Sequence, residues 1–160
     1  MKVYENLKKL PTFDKPVITI GSFDGLHYGH MKIIRKIIDL AQKNATKSIV
    51  LTFHPHPRQV VYPDDDSLEL LSTKSEKITL FNGLGIDYLV FIPFSLEFSQ
   101  QSPQEYISDF IVENFNPGNI VIGYDHKFGK NRKGDIELLR DYRVKYRYAV
   151  TEIPPQQLKD

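Results

Sequence analysis

Apolar residues are concentrated in short runs that alternate with segments of helical periodicity. Four runs rich in Val and Ile cover residues 16–21, 48–53, 88–92 and 119–123. Uninterrupted β-branched runs of this kind are typical of strands buried on both faces of a parallel sheet. A fifth and less regular run covers residues 145–153. The pattern therefore predicts five parallel strands.

Helical signals fill the intervals between these runs. In residues 28–44 the apolar side chains recur every three or four residues, as on the buried face of a helix. The segments 73–76 and 102–105 have the capping-box pattern with which helices begin, and a shorter helix is predicted over residues 135–142. Strands that alternate with helices predict an α/β fold, a Rossmann-like doubly wound parallel five-stranded sheet.

Four loops of this predicted fold should lie together. In a doubly wound sheet, ligands bind beyond the carboxyl ends of the strands, near the point where strand order reverses. Polar segments rich in Gly and Pro follow the first four predicted strands, at residues 21–30, 54–66, 93–102 and 123–134. We expect these loops to form one cleft. Residues 1–15 are predicted to be a lead-in with little functional content.

The segment at residues 21–30, Gly-Ser-Phe-Asp-Gly-Leu-His-Tyr-Gly-His, joins the first predicted strand to the first predicted helix. A strand that passes through glycines into a helix leaves free backbone N–H groups above the strand end, with the positive end of the helix dipole behind them. Such a site binds anions, phosphate among them. Because His27 and His30 are three residues apart, one helical turn can bring both to face the anion. The alternative is a helix start with two surface histidines.

Composition narrows the class of protein without identifying it. The 160 residues suit one domain, and 41% hydrophobic with 26% charged residues is ordinary globular usage. Because 21 Lys and Arg face 20 Asp and Glu, no strong field would attract nucleic acid or an anionic membrane, and neither partner is predicted. Cysteine is absent, which excludes disulfides and thiolate chemistry. With no apolar run of signal-peptide or bilayer length, a cytoplasmic location is predicted.

The proline-rich segment at residues 54–58, His-Pro-His-Pro-Arg, has three interpretations. In an extended chain His54 and His56 would lie on one side, but a zinc site would need a third ligand that the sequence does not identify. The prolines would otherwise fix a rigid extended wall beside Phe53 and Tyr62, which suits a flat aromatic ligand. The third interpretation is a stiff surface loop.

A second polar loop at residues 123–135, Gly-Tyr-Asp-His-Lys-Phe-Gly-Lys-Asn-Arg-Lys-Gly-Asp, places four cations among glycines at a strand end. Its glycines allow a ligand to approach the backbone, Asp125 can accept hydrogen bonds from ribose or ribityl hydroxyls, and a cation such as Arg132 can neutralise phosphate. The alternative is a solvated basic turn. For Phe94 and Phe98, in the loop after the third strand, core packing is predicted.

Residues 27–30 fit the His-x-Gly-His motif of the nucleotidyltransferase superfamily, and the whole segment 21–30 resembles its FMN adenylyltransferase (FAD synthetase) branch. Residues 53–57 are similar to the Phe-x-Pro-x-Pro segment that lines the flavin side in that branch. Residues 123–129 resemble its Gly-x-Asp/Asn-Phe-x-Phe-Gly segment, with the departure that His126 stands where many relatives have an aromatic residue. The resemblance implies a nucleotidyltransferase-type sheet and the N-terminal domain of a bacterial bifunctional riboflavin kinase/FAD synthetase.

The resemblance also implies a reaction and a set of residues. The phosphate of FMN would attack the α-phosphorus of ATP, expelling pyrophosphate and giving FAD, with Mg²⁺ bridging the phosphates and no residue firmly assigned to the metal. His27 and His30 would be catalytic, because they would hold the charge that grows on the phosphates. The implied ATP-binding residues are Gly21, Ser22, Phe23, Asp24, Gly25, His27, Gly29, His30 and Gly123. The implied FMN-binding residues are Phe53, Pro55, Pro57, Tyr62, Asp125, Phe128, Gly129 and Arg132.

The family plan continues beyond the printed sequence. It has a Ser-Ser/Thr-x-x-Arg segment after the last strand, which helps to bind the ATP phosphates, and then a riboflavin kinase domain. Neither occurs in the sequence, so residues 1–160 are expected to be one C-terminally truncated FMN adenylyltransferase domain. Two alternatives remain open: another His-x-Gly-His nucleotidyltransferase that uses pantetheine phosphate, nicotinamide mononucleotide or a CTP substrate, and a catalytically silent flavin- or nucleotide-binding fragment.

Overall fold

The computed structural model describes residues 1–24, 28–64 and 73–154, with residues 28 and 29 described by their backbone alone. The strands in these ranges are β1 (Lys2–Tyr4), β2 (Val17–Gly21), β3 (Ser48–His54), β4 (Tyr88–Pro93), β5 (Asn119–Gly123) and β6 (Ala149–Ile153). The helices are α1 (Tyr28–Lys43), α2 (Pro57–Val61), α3 (Lys74–Asn82), α4 (Leu96–Ser99), α5 (Pro103–Glu105), α6 (Glu113–Phe115), α7 (Ile136–Asp141) and α8 (Arg143–Tyr146). A π-helical stretch, Tyr106–Val112, joins α5 to α6 in one continuous helix.

The strands form one parallel sheet in the order β1-β4-β3-β2-β5-β6. From β2 the chain builds outward through β3 and β4, and it then returns to place β5 on the other side of β2. Strand order therefore reverses between β2 and β5, which is the switch point where doubly wound sheets bind ligands. The predicted α/β, doubly wound and parallel architecture is confirmed.

The sheet has one strand more than predicted, because β1 lies in the segment expected to be a lead-in. β1 pairs in parallel with β4, with Val3 opposite Leu89. As the edge strand it has one neighbour, and its residues are exposed or half-buried. A short edge strand of this kind needs no buried apolar run, so the hydrophobic pattern could not reveal it.

The predicted strand over residues 145–153 begins later than expected, because α8 occupies its first residues. α8 ends at Tyr146, and its C-terminal cap is Arg147, whose φ of 58° is left-handed. The buried Tyr148 then donates its hydroxyl proton to the carbonyl of Leu139 at 2.5 Å. This bond ties the chain to α7 before β6 begins.

Apolar side chains fill both faces of the sheet. Successive residues of β2 point to opposite faces, so Ile18 and Ile20 belong to one apolar cluster and Val17 to the other. The first cluster is covered by the continuous helix α5–α6 and is called the α5 face. The second is covered by α1 and α3 and is called the α1 face. Helical contributions to the α5 face are Tyr106, Ile107, Phe110, Ile111 and Phe115, with Ile136 and Leu139 from α7, and those to the α1 face are Ile33, Ile34, Ile37, Ala41 and Phe81.

Candidate active site

The turn after β2 lies at the carboxyl edge of the sheet. It contains Gly21, Ser22, Phe23 and Asp24, of which Phe23 is buried with a φ of 48°. The Phe23 ring contacts the ring of His30 edge to face, with centroids 5.1 Å apart. A side chain on Gly21 would meet the Phe23 ring at 3.0 Å, so glycine leaves room for that ring. The structure thus places His30, on the first turn of α1, against the turn.

Two of the residues predicted to bind ATP lie outside the described residues. Gly25 and His27 fall between residues 24 and 28, so the predicted pairing of His27 with His30 stays a prediction. Gly29 is the second residue of α1, directly before His30.

A crevice at the switch point lies beside this turn. The backbone pairing of β2 with β5 ends at Ile18 and Ile120, three residues before either strand ends at Gly21 and Gly123. The pairing of β2 with β3, in contrast, continues to Gly21. The carboxyl ends of β2 and β5 are therefore not joined by backbone hydrogen bonds. The sheet opens at the place where the fold predicts a ligand, with the predicted Gly21 and Gly123 on its two sides.

Lys77 is a site residue that the sequence analysis missed. It lies on α3 and is only 7% exposed. Its ammonium donates to the carbonyl oxygen of Ser22 at 2.6 Å and to Oγ1 of Thr52 at 3.3 Å, and the Thr52 hydroxyl donates to the same carbonyl at 2.8 Å. Burial lowers the pKa of Lys77, and the carboxylate of Asp24 opposes this shift. A cation thus lies directly behind the turn after β2.

A signal for Lys77 was present in the sequence. The capping box at residues 73–76 predicts a helix, and it forms: Oγ1 of Thr73 accepts from the backbone N–H of Glu76 at 3.2 Å. Lys77 stands one helical turn before the buried Phe81, and so on the side of α3 that faces the sheet. A lysine at a core-facing position of a predicted helix needs a polar partner inside, and that partner is the carboxyl edge of β2 and β3.

The sequence analysis interpreted the proline-rich segment as an extended wall. That interpretation is wrong from Pro57 onward, because α2 begins there. Nδ1 of His56 accepts from the backbone N–H of Arg58 at 3.1 Å, and the Gln59 side chain accepts from the His56 N–H at 3.3 Å. This reciprocal cap, followed by proline at the first helical position, makes a helix the favoured structure. Pro55 is exposed, and its peptide bond with His54 is cis.

A series of aromatic contacts joins the two loops predicted to bind FMN. The Phe53 ring lies 5.9 Å from that of Phe98, which lies 6.0 Å from that of Tyr106. Tyr106 in turn stacks on Phe128 with centroids 4.7 Å apart. All four residues pack on the α5 face. The predicted core packing of Phe98 is confirmed, and Phe94 contacts Phe53 with centroids 5.4 Å apart.

Phe128 anchors the loop after β5. Its backbone exchanges two hydrogen bonds with Gly134, at 3.1 and 2.8 Å, and a side chain on Gly134 would collide with the Phe128 ring. Gly129 has a φ of 77° and packs on Pro103, where a side chain would approach within 3.0 Å. These contacts explain two of the glycines by packing, and the predicted contacts of Phe128 and Gly129 with FMN stay predictions.

Three of the residues predicted on the flavin side are exposed. Asp125 and Arg132 are exposed on the loop after β5, and Tyr62, which follows α2, is 60% exposed. Pro57 is half-buried at the start of α2. These side chains are not buried in the core, so they can contact a ligand at the carboxyl edge.

His126 carries a buried nitrogen without a partner. Its Nε2 and Oε1 of Gln101 are the buried side-chain atoms that make no hydrogen bond within the described part of the chain. The pKa of His126 is lowered to about 4, chiefly by burial; Asp125 opposes the shift and Arg132 reinforces it. His126 is therefore neutral at physiological pH. It lies 5.8 Å, ring to ring, from Phe128.

Electrostatic interactions link the turn after β2 to the proline-rich segment. The pKa of His56 is lowered, mainly by burial. The charge of Asp24 opposes this shift, and the charges of Lys77 and Arg58 add to it. Asp24 thus acts on both His56 and Lys77.

Residues 1–24, 28–64 and 73–154 contain no group of three or more His, Asp or Glu side chains that could hold a metal ion. None of the helices in those ranges combines the length and apolar character needed to cross a bilayer.

Known proteins resemble this chain along most of its length. The model of the FAD synthetase family matches residues 10–160. A bifunctional riboflavin kinase/FMN adenylyltransferase from Buchnera aphidicola subsp. Schizaphis graminum is 32% identical over 148 residues, which cover 92% of this chain and 46% of that protein. A FAD synthetase from Listeria monocytogenes is 32% identical over 138 residues, which cover 86% of this chain and 55% of that protein. The chain spans about half the length of the curated relatives it matches.

Solved structures share the fold. A structure described as a macrolide-efflux protein from Streptococcus pneumoniae superposes with a TM-score of 0.82 at 27% identity, over 96% of this chain and 50% of that one. A pantothenate synthetase from Thermus thermophilus has a TM-score of 0.57 at 15% identity, over 96% of this chain and 62% of that one, and this likeness concerns the fold alone. Both likenesses extend over 96% of this chain and confirm its predicted α/β fold.

Proposed function

This chain belongs to the FAD synthetase family, and we propose that it transfers the adenylyl group of ATP to FMN, giving FAD and pyrophosphate. The observation that carries the proposal is the position of residues 21–24 and of the start of α1 at the switch point, where the carboxyl ends of β2 and β5 separate. An anion in this crevice would face backbone amides of the turn, the start of α1 and the ring of His30.

Aromatic residues of the two predicted ligand sets pack on different faces of the sheet, which supports a two-substrate site. Phe23, of the ATP set, packs on the α1 face, whereas Phe53 and Phe128, of the FMN set, pack on the α5 face. ATP and FMN would therefore reach the carboxyl edge from opposite faces and meet above the switch point. This arrangement can accommodate in-line displacement, in which the attacking and leaving oxygens lie on opposite sides of the phosphorus.

Adenylyl transfer requires positioning and charge stabilisation more than proton chemistry. His30 and the amides of residues 22–24 would stabilise the negative charge on the α- and β-phosphates, together with His27 as predicted from the motif. Asp125 would accept hydrogen bonds from ribityl or ribose hydroxyls, and Arg132 would neutralise a phosphate. Tyr62 and Phe53 would line the flavin ring.

Magnesium is expected to arrive with ATP. Mg²⁺ prefers oxygen ligands and is held in such enzymes largely by substrate phosphates and water. Asp24, at the carboxyl edge and electrostatically coupled to Lys77, is the carboxylate that would complete its ligands. When bound, the ion would neutralise phosphate charge.

The riboflavin kinase named in the relatives is proposed to lie outside these 160 residues. The chain aligns with 46% of the Buchnera protein and 55% of the Listeria FAD synthetase, and the FAD synthetase model accounts for residues 10–160. Residues 1–160 would then be a single FMN adenylyltransferase domain. The cytoplasmic location predicted from the sequence stays a prediction.

The proposal is tested by incubating the chain with ATP, Mg²⁺ and FMN and measuring FAD and pyrophosphate. Pantetheine phosphate and nicotinamide mononucleotide serve as parallel acceptors, with CTP as a parallel donor. FAD formed in step with pyrophosphate supports the proposal. Turnover of another acceptor, or FMN binding with no FAD formed, contradicts it and favours, respectively, another nucleotidyltransferase or a silent flavin-binding fragment.

A further inference from the structure

The buried Lys77 ammonium is hydrogen-bonded at the carboxyl ends of two central strands, β2 and β3, at the proposed ATP site. The Lys77 ammonium and the Thr52 hydroxyl both donate to the carbonyl oxygen of Ser22, at 2.6 and 2.8 Å. We infer that Lys77 is a positioning residue, which orients the peptide between Ser22 and Phe23 so that its N–H faces the crevice between β2 and β5. The inference rests on the proposed function, because it assigns that N–H to the phosphates of ATP.

Peptide geometry gives the direction of this N–H. A trans peptide is planar, so the carbonyl of one residue and the N–H of the next point in opposite directions. The Ser22 carbonyl points towards Thr52, which lies on β3. The N–H of Phe23 must then point away from β3, and β5 is the neighbour on that side of β2. A donor is thereby aimed at the crevice that opens beyond Ile18 and Ile120.

The backbone here needs an external hold. Phe23 has a φ of 48°, a left-handed conformation that a phenylalanine rarely adopts. Two donors on a single carbonyl oxygen fix the preceding peptide, and one of them is charged, which makes its hydrogen bond stronger. The Phe23 ring is held as well, packed on Phe81 with centroids 5.8 Å apart.

The burial of Lys77 argues for a purpose other than packing. A lysine that is 7% exposed loses much of its hydration, and an apolar side chain of the same length would fill the space without that cost. Lys74, one turn earlier on the same helix, provides the contrast. It pairs with Glu5 and lies over the ring of Phe91 at 5.2 Å.

The test compares four substitutions that keep side-chain volume or chemistry. Lys77→Met removes the cation, Thr52→Val removes the second donor, and Lys74→Met is the matched control on the same helix. For each, the dissociation constant of MgATP and of FMN, the kcat and KM for FAD formation, and the thermal midpoint are measured. Thr52→Ser restores the hydroxyl and serves as the rescue.

The expected result is selective. Lys77→Met weakens MgATP binding and lowers kcat/KM for ATP by about tenfold to a hundredfold, since a donor in the site is no longer preset. Thr52→Val acts in the same direction, Thr52→Ser recovers, and the double variant loses less than the product of the single losses because both donors share one carbonyl. FMN affinity stays within about twofold, as do all constants of Lys74→Met.

Three results would overturn the inference. MgATP binding and turnover unchanged in both Lys77→Met and Thr52→Val would overturn it while leaving the proposed function intact. Equal losses for ATP and FMN, together with a lowered thermal midpoint and no rescue by Thr52→Ser, would show that Lys77 only supports the fold. If the unaltered chain neither binds MgATP nor makes FAD, the proposed function fails and the inference fails with it.

Discussion

At the scale of single residues, packing decides which side chains can stand at the carboxyl edge. Gly21 was predicted as a ligand-facing glycine, yet the structure gives it a definite packing role, because the ring of Phe23 occupies the space where a side chain would lie. The same ring contacts His30. Gly21 therefore leaves room for the Phe23 ring, and that ring contacts the predicted catalytic residue His30.

Replacing Gly21 with alanine should disturb this arrangement. The new methyl group would lie 3.0 Å from the Phe23 ring, which has little room to move because it is 4% exposed. We expect a loss of about 1–3 kcal/mol in the free energy of unfolding, as for other overpacked cores, measured by urea denaturation. The control is Gly83→Ala, where the nearest atom is 3.7 Å away. A Gly21→Ala chain as stable as the control would contradict the packing role.

His126 should make folding stability depend on pH. Its pKa falls from 6.5 to about 4 on folding, so below pH 6.5 the unfolded chain takes up a proton that the folded chain refuses. Stability should therefore decrease as pH falls from 6.5 towards 4, by up to about 1.4 kcal/mol per pH unit from this residue. Urea denaturation of His126→Phe over the same range should show a shallower decrease, since the replacement does not titrate. An equally steep decrease in both proteins would refute this assignment.

At the scale of elements, short caps position the loops. The sequence analysis recognised capping-box patterns at the starts of α3 and α5. The full reciprocal box forms at α5, whereas at α3 the Thr73 side chain caps the helix and the Glu76 carboxylate accepts from the Thr73 hydroxyl instead of its backbone N–H. It did not recognise the cap of α2, because histidine is not among the usual capping residues. The prolines were accordingly interpreted as an extended wall, whereas Pro57 begins a helix.

The cap of α2 can be tested apart from the charge of its histidine. His56→Ala removes the acceptor for the Arg58 N–H and should cost α2 about 0.5–2 kcal/mol, whereas His56→Asn supplies an equivalent acceptor. Hydrogen exchange of the α2 amides and FMN affinity are the measurements. We expect faster exchange and weaker FMN binding in His56→Ala, with recovery in His56→Asn. Identical exchange in the two variants would exclude a capping role.

At the scale of the whole molecule, topology accounts for most of what could be predicted. Runs of Val and Ile identified the strands that are buried on both faces, and the alternation with helices predicted the doubly wound sheet and its ligand edge. β1 escaped because an exposed edge strand lacks such a run. Lys77 escaped because its partners, Ser22 and Thr52, come from distant segments that only the folded sheet brings together.

The proposed site draws its residues from both faces of the sheet. Its α1-face half contains the turn after β2 and Lys77, and its α5-face half contains the aromatic contacts from Phe53 to Phe128. Neither half alone indicates a site for two substrates. The two halves lie on either side of the sheet at the switch point between β2 and β5. This geometry supports the reaction proposed from the family, in which the phosphate of FMN attacks the α-phosphorus of ATP.

The most direct test follows the transferred atom. The chain is incubated with Mg²⁺, FMN and ATP that carries a label on its α-phosphorus, and the products are separated. The account predicts that the label appears in FAD while the pyrophosphate is unlabelled, and that His30→Ala slows this transfer about a hundredfold with FMN affinity little changed. Label found in AMP alone, or in no product at all, would contradict adenylyl transfer to FMN.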